Sequence, residues 1–399
     1  MHINISKVRH NMILVSLLIM FTLSGMAVDL FSPSLPAMSR DLYISTNIVK
    51  STIYIYLTGY ALGNFLMGFL TDAFGRKKLL RISLLLLIAS NILPIIFPNY
   101  IILLTSRFIQ GLFIGAVAVL ARAILSDILS TSQMIKIGPV IGALWGLGPV
   151  IGPILGGYLQ FYYNWKAGFY FFTASSAILS IIIYMILPET IRSHSPLRLK
   201  NIKYNLYTII TNIQFMALVI SMGIVYALLI TFNTLGPFLI QDIMGYSSIY
   251  FGQLSLIVGL TFLSATFLCR YLLNYLTSYV LFGYVTYIFV ITIVILSLIS
   301  LLFPSSLILL IIATTVAYFV CGFIFPLCMG KGLSMFRNIA GTASAIMYLI
   351  NVMITSLAAF IESFIQTESI IPIILIYSFL MLILLLIYCL FLHKERNII

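Results

Sequence analysis

Residues 48–97 read IVKSTIYIYLTGYALGNFLMGFLTDAFGRKKLLRISLLLLIASNILPIIF: two continuously apolar runs, 48–70 and 79–97, joined by a short basic break around Arg76, Lys77 and Lys78. Each run is about 20 residues long, enough to cross the hydrocarbon of a bilayer as a helix. Alternating apolar and polar residues would suit a barrel strand. Continuous apolar runs suit a helix, whose backbone hydrogen bonds close within the segment. The same pattern extends both ways, giving further runs near 12–32, 100–126, 136–160, 166–187, 207–235, 248–270, 279–302, 306–330, 340–363 and 369–392. The expected fold is therefore an all-α membrane protein of twelve spans.

Composition agrees with this reading. With 62% hydrophobic and 8% charged residues, the 399-residue chain has too little polar surface to clothe a soluble globule. A net charge of +12 would suggest nucleic acid in a soluble protein, but here the cations follow the loops. Lys7 and Arg9, Arg76 to Arg81, Arg122 and Lys136, Arg192 to Lys203, Arg270, Lys331 and Arg337, and Lys394 and Arg396 all lie at the N-terminus or follow even-numbered spans. The other side holds only Arg40, Lys50, Arg107 and Lys166, and the loops after spans seven, nine and eleven carry no Lys or Arg. The positive-inside rule then puts both termini in the cytoplasm. His2, Lys7, Arg9 and His10 imitate the basic start of a secretory signal, but the first run contains Asp29 and ends in a Pro-rich exit, so it is expected to be a retained span. Cys269, Cys321, Cys328 and Cys389 sit in or beside apolar spans and are expected as core thiols without a disulfide; neither Cys nor His shows ligand spacing.

The longest charged break, Pro188 to Tyr204, divides the spans six and six. The expected organisation is an N-terminal six-helix half, 1–187, a cytoplasmic linker, 188–206, and a C-terminal half, 207–399. Pseudo-symmetric halves of this kind characterise a large class of secondary transporter, with the substrate site between them near mid-membrane.

Arg107 lies inside an apolar span, where an Arg is costly unless it faces a partner or water; the alternative is an Arg snorkelling to the headgroups. Asp29 is the one acid well inside an apolar run, at a depth similar to that of Arg107. A carboxyl in low dielectric can exchange a proton as its hydration changes, which suits a proton carrier; the alternative is a cap for the break before Pro33. Glu362 is a possible second titratable group, but Glu362 and Glu368 bracket a loop and are expected to be solvated. Gly148, Gly152 and Gly156 recur every four residues, a stripe along which helices pack closely, and Pro149 and Pro153 each remove a backbone donor, so a bend is expected. Gly68 allows close helix approach and Gly75 a tight turn ahead of the basic run. Tyr54, Tyr226, Asn233, Tyr348 and Asn351 are candidate cavity-lining residues for aromatic or cationic ligands.

Several of these stretches carry a resemblance. Gly68 to Lys78 resembles the signature of the major facilitator superfamily, and Asp29-x-x-x-Pro33-x-Leu35-Pro36, Arg107-x-x-Gln110-Gly111, Ala121-Arg122-Ala123, Asn164-Trp165 and Leu187-Pro188-Glu189-Thr190 resemble its Bcr/CflA branch of bacterial drug/proton antiporters. The likeness covers residues 15 to 192. It implies a latch among Asp72, Arg76 and Asp127, with Ala73 standing where the family usually carries Arg, and a role for Arg107 in proton transfer. The span-five ending Gly148-Pro149-x-x-Gly152-Pro153-x-x-Gly156-Gly157 is similar to the antiporter motif of drug exporters. The resemblance thus implies a monomeric bacterial inner-membrane exporter of amphipathic small molecules, driven by the proton gradient and needing no cofactor. A superfamily carrier for a metabolite such as an amino acid or sugar is the nearest rival. A membrane-embedded enzyme or receptor would need a clustered catalytic set, which the few buried charges do not form.

Overall fold

Serine and asparagine side chains begin many of the helices. Asn99, Ser130, Asn212, Ser247 and Ser306 each accept a hydrogen bond from a backbone N–H three residues on, satisfying donors that a helix start leaves open. The computed structural model describes residues 7–190, 199–336 and 339–393; for Lys7, Asp72, Thr131, Ile135, Pro139 and 199–203 only the backbone is described. Of the cations that set the expected orientation, Arg192, Arg198, Arg337, Lys394 and Arg396 therefore lie outside the described residues.

Among the described residues, twelve helices are long and apolar enough to cross a membrane. Spans one to six are Val8–Met26, Thr46–Thr71, Arg76–Ile96, Tyr100–Ile128, Ser132–Tyr162 and Ala167–Ile186. Spans seven to twelve are Ile213–Ile243, Ser248–Leu272, Ser278–Leu302, Leu307–Met335, Ala340–Ser363 and Ile371–Leu392. Two boundaries differ from expectation. The seventh span begins at Ile213 rather than 207, because Leu199–Ile210 forms a separate helix and Asn212 caps the next one. Span one stops at Met26, and residues 27–31 run as turns into a short 3₁₀ segment, Ser32–Ser34, and a helix, Leu35–Asp41. Asp29 therefore sits on irregular backbone, which membrane proteins tolerate only where protein or water surrounds it.

The bend in span five falls at Leu147, between helices ending at Gly146 and starting at Gly148. Past this bend the glycine stripe meets span one. A Cβ added at Gly148 would strike Gly25, and one at Gly156 would strike the carbonyl of Leu30; Gly152 faces Asp29 and Leu30. Gly157 turns instead to Ser248 of span eight, whose Gly252 and Gly259 approach the backbone of Pro153 and Val150. Span five is thus wedged between its own half and the other. Spans two and four pack by the same device, with Gly59 and Gly63 against Phe108 and Leu112, and Gly111 against Tyr56.

Cross-half polar contacts gather at the end of the bundle remote from the termini. Arg40 pairs with Asp242 at 2.5 Å, Gln241 donates to the Pro33 carbonyl at 2.9 Å, Ser248 to the Gly157 carbonyl at 3.0 Å, and Lys50 to the Ile365 carbonyl at 2.7 Å. Thr58 and Ser356 share a hydrogen bond of 2.8 Å between spans two and eleven. That far end is closed. Toward the termini, Arg122 donates to the Tyr348 hydroxyl at 3.2 Å, while Gly138, Gly142, Gly330 and Gly341 have open space at their Cβ positions.

Candidate functional site

At the centre of the closed face lies Asp29. Its carboxylate accepts a hydrogen bond of 2.5 Å from Asn233 Nδ2 on span seven, and Ser32 Oγ donates to the Asn233 backbone carbonyl at 2.7 Å. Asp29 and Asn233 are 3% and 0% exposed. The Asp29 side chain does not cap the break before Pro33: the 3₁₀ segment begins at Ser32, with Phe31 at its cap position and no side-chain cap, and the carboxylate reaches across to the other half. Asn233, grouped above with possible cavity residues, is instead its direct partner.

Arg107 does not snorkel. It is 2% exposed, with its guanidinium between the rings of Phe31 (4.6 Å) and Tyr56 (4.4 Å). Nη1 donates to Gln110 Oε1 at 3.0 Å, both Nη atoms reach the Ala27 carbonyl at 3.5 Å, and Nε is buried without a partner. Gln110 in turn donates to the Ser90 carbonyl at 3.1 Å. A cavity of about 10 Å³ opens beside the guanidinium between Asn91, Gln110 and Phe172, room for about one water. No described hydrogen bond or ion pair joins Arg107 to Asp29. The two grip the same irregular segment from opposite sides: Arg107 holds Ala27 and Phe31, and Asp29 holds the other half.

The latch expected near the termini is partly visible. Gly75 adopts a φ of 86°, a conformation open to glycine, between the helices ending at Phe74 and starting at Arg76. Arg76 forms an ion pair with Asp127 and donates to the Ala123 carbonyl. Thr190 donates to the same Asp127 carboxylate at 2.7 Å, and Glu189 accepts from the backbone N–H groups of Arg76 and Lys77, so an anion covers the positive start of span three. Glu189 and Thr190 thus join a network expected only among Asp72, Arg76 and Asp127. The Asp72 side chain lies outside the described residues. Gly68 does approach another helix closely, a Cβ there falling 3.3 Å from Ala345.

The five candidate cavity residues make different contacts. Tyr54 packs edge-on against Phe360, and Asn351 donates to the Met347 carbonyl on its own helix. Tyr226 joins Trp145 of span five and Phe325 of span ten, with ring centroids 5.9 to 6.3 Å apart, an aromatic cluster that bridges the halves. Tyr348 faces Arg122, whose guanidinium lies 5.0 Å from its ring. Trp145 and Arg122 were missed as candidate ligand contacts, although Trp145 is one of only two tryptophans. Glu362, expected to be solvated, is only 2% exposed, because its helix packs against spans two and seven at that level, whereas Glu368 is exposed. Cys269, Cys321 and Cys328 are buried, but Cys389 is exposed on the outer surface of the last span.

The sequence model of the Major Facilitator Superfamily matches residues 17–363, and the chain belongs to that superfamily. Its apolar helices make it a multi-pass membrane protein. Among curated relatives, it is 28% identical over 257 residues to the Bicyclomycin resistance protein homolog of Haemophilus influenzae, covering 63% of each chain. It is 27% identical over 241 residues to the Chloramphenicol resistance protein CraA of Acinetobacter baumannii, covering 58% of this chain and 57% of that one. Multidrug resistance protein MdtL of Escherichia coli is 26% identical over 234 residues, 59% of each chain. The matched region spans less than two thirds of each of these relatives. A crystal structure of a D-xylose-proton symporter superposes with a TM-score of 0.76 over 96% of this chain and 98% of the other; at 15% identity this likeness shows the fold alone.

Proposed function

We propose that the chain is a proton-driven exporter of amphipathic small molecules, lying in a bacterial inner membrane with both termini in the cytoplasm. The observation that carries this reading is the buried Asp29 carboxylate held across the two halves by Asn233 at 2.5 Å. Protonation removes the charge that this bond satisfies, so the contact between the halves weakens when a proton arrives and strengthens when it leaves. A carboxyl placed on the contact that closes one end of the bundle links proton binding to alternating access.

Substrate enters this scheme from the terminal side while the far end is closed. Trp145, Tyr226 and Phe325 offer an aromatic surface shared by both halves, and Arg122 beside Tyr348 offers a cation to an acceptor-rich substituent. Binding there favours the state in which Asp29 has released its proton. The drug-resistance names of several relatives support export of such compounds. Arg107 has a positioning role, stiffening the irregular segment that carries Asp29.

Inverted vesicles from a strain lacking its own exporters test the reading. With a proton gradient imposed and followed by a pH-sensitive dye, a panel of amphipathic drugs is expected to include compounds that dissipate it with wild type but not with Asp29→Asn. A folded, inserted wild type that releases no protons for any compound overturns drug/proton antiport.

A further inference from the structure

A second buried carboxyl lies outside this machinery, at the closed end between spans two, seven and eleven. Glu362 is 2% exposed; Oε1 lies 2.6 Å from Thr231 Oγ1, and Oε2 is buried with no hydrogen-bond partner. Thr231 Oγ1 also lies 2.9 Å from the Ala227 carbonyl, which can only accept. A hydroxyl has one proton to give. If Thr231 gives it to Glu362, the carboxyl is charged and Ala227 loses its bond. If Thr231 gives it to Ala227, the contact at 2.6 Å requires Glu362 itself to carry a proton and donate. The site accommodates both protonation states with no movement of heavy atoms.

Lys50 supplies the second half of the device. It is 1% exposed, donates to the Ile365 carbonyl three residues beyond Glu362, and lies 5.1 Å from the Phe238 ring. Its ammonium thus caps the chain just beyond the helix that carries Glu362, across the interface between the halves, without forming a direct ion pair in the described contacts. Lys50 belongs to the first half and Glu362 to the second, so opening the far end separates them. The other groups facing Glu362 are the Thr234 hydroxyl on span seven and the Tyr377 phenol on span twelve. Among the described residues, Lys50 is thus the one cation near Glu362.

We propose that Glu362 is a second proton-binding site, in the C-terminal half: it releases its proton when the far end closes and Lys50 arrives, and takes one up when the far end opens and Lys50 withdraws. Low pH then favours the far-open state through Glu362 as well as through Asp29. The inference rests on the proton-coupled reading but not on the substrate.

The test measures conformation rather than transport. Spin labels at Tyr43→Cys and Phe303→Cys, exposed far-end positions in opposite halves, report opening in a Cys389→Ser background. Purified, folded protein carrying Asp29→Asn is expected to retain a pH-dependent lengthening of the label distance. Adding Glu362→Gln is expected to abolish that dependence, whereas adding Glu362→Asp preserves it, and Lys50→Gln weakens it. An Asp29→Asn protein whose distance does not respond to pH overturns the proposal, as does a response unchanged by Glu362→Gln. Because no substrate is present, a failed drug-export assay leaves this readout standing.

Discussion

A buried guanidinium normally finds an acid, yet Arg107 is held by two aromatic rings, one amide and one distant backbone carbonyl. Desolvating a cation is expensive, and ring faces return only part of that free energy. What the arrangement does provide is position: a guanidinium lying over the rings of Phe31 and Tyr56 and reaching the Ala27 carbonyl fixes Phe31, and with it the segment bearing Asp29. Lysine has the charge but neither the plane nor the fork of donors. Arg107→Lys is therefore expected to insert and fold but to slow substrate-driven proton release by about tenfold or more, which corresponds to about 1.4 kcal/mol of lost stabilisation. Wild-type rates in the lysine variant would show that the stacking has no functional weight.

At the level of helices, the decisive contact is span five against span one. Gly156 sits against the Leu30 carbonyl, immediately beside Asp29 in sequence, so a methyl group there must displace the irregular segment. Gly156→Ala is expected to destabilise the protein by about 1–3 kcal/mol, as overpacking generally does, and to lower both its melting temperature and its transport rate. Gly142→Ala, on the same span but with open space at its Cβ position, serves as the control and is expected to leave both unchanged. Equal loss in the two variants would mean that the close approach is irrelevant. This stripe was legible in the sequence because four-residue spacing is a local property of one helix. So were the spans themselves, whose apolar runs are continuous, and the turn at Gly75. The pairing of Asp29 with Asn233, 204 residues away, was not legible, since each belongs to a different half and no local pattern encodes how halves register. The burial of Glu362 escaped for the same reason: near the end of an apolar run it reads as a loop acid, and only the packing of spans two and seven over it reveals otherwise. Span one was read as continuing through Asp29 because apolar composition does not mark where a helix unwinds.

Across the whole molecule, the contacts that close the far end differ in kind. Arg40 and Asp242 form an ion pair whose side chains are 61% and 33% exposed, a geometry that contributes little stability in water. The buried contacts further in, Asp29 with Asn233 and Lys50 with the Ile365 carbonyl, involve groups that cannot be left unpaired without cost. Closure therefore depends most on the groups whose charge a proton can alter or balance. In the proposed cycle Asp29 gives up its proton when substrate binds. This step is tested most directly with detergent-purified protein in a weakly buffered solution, recording pH as a transported compound from the vesicle screen is added. Wild type is expected to release protons in proportion to bound substrate, and Asp29→Asn to bind the same compound while releasing markedly fewer. Equal release from both proteins, or binding by wild type with no release, would contradict the account.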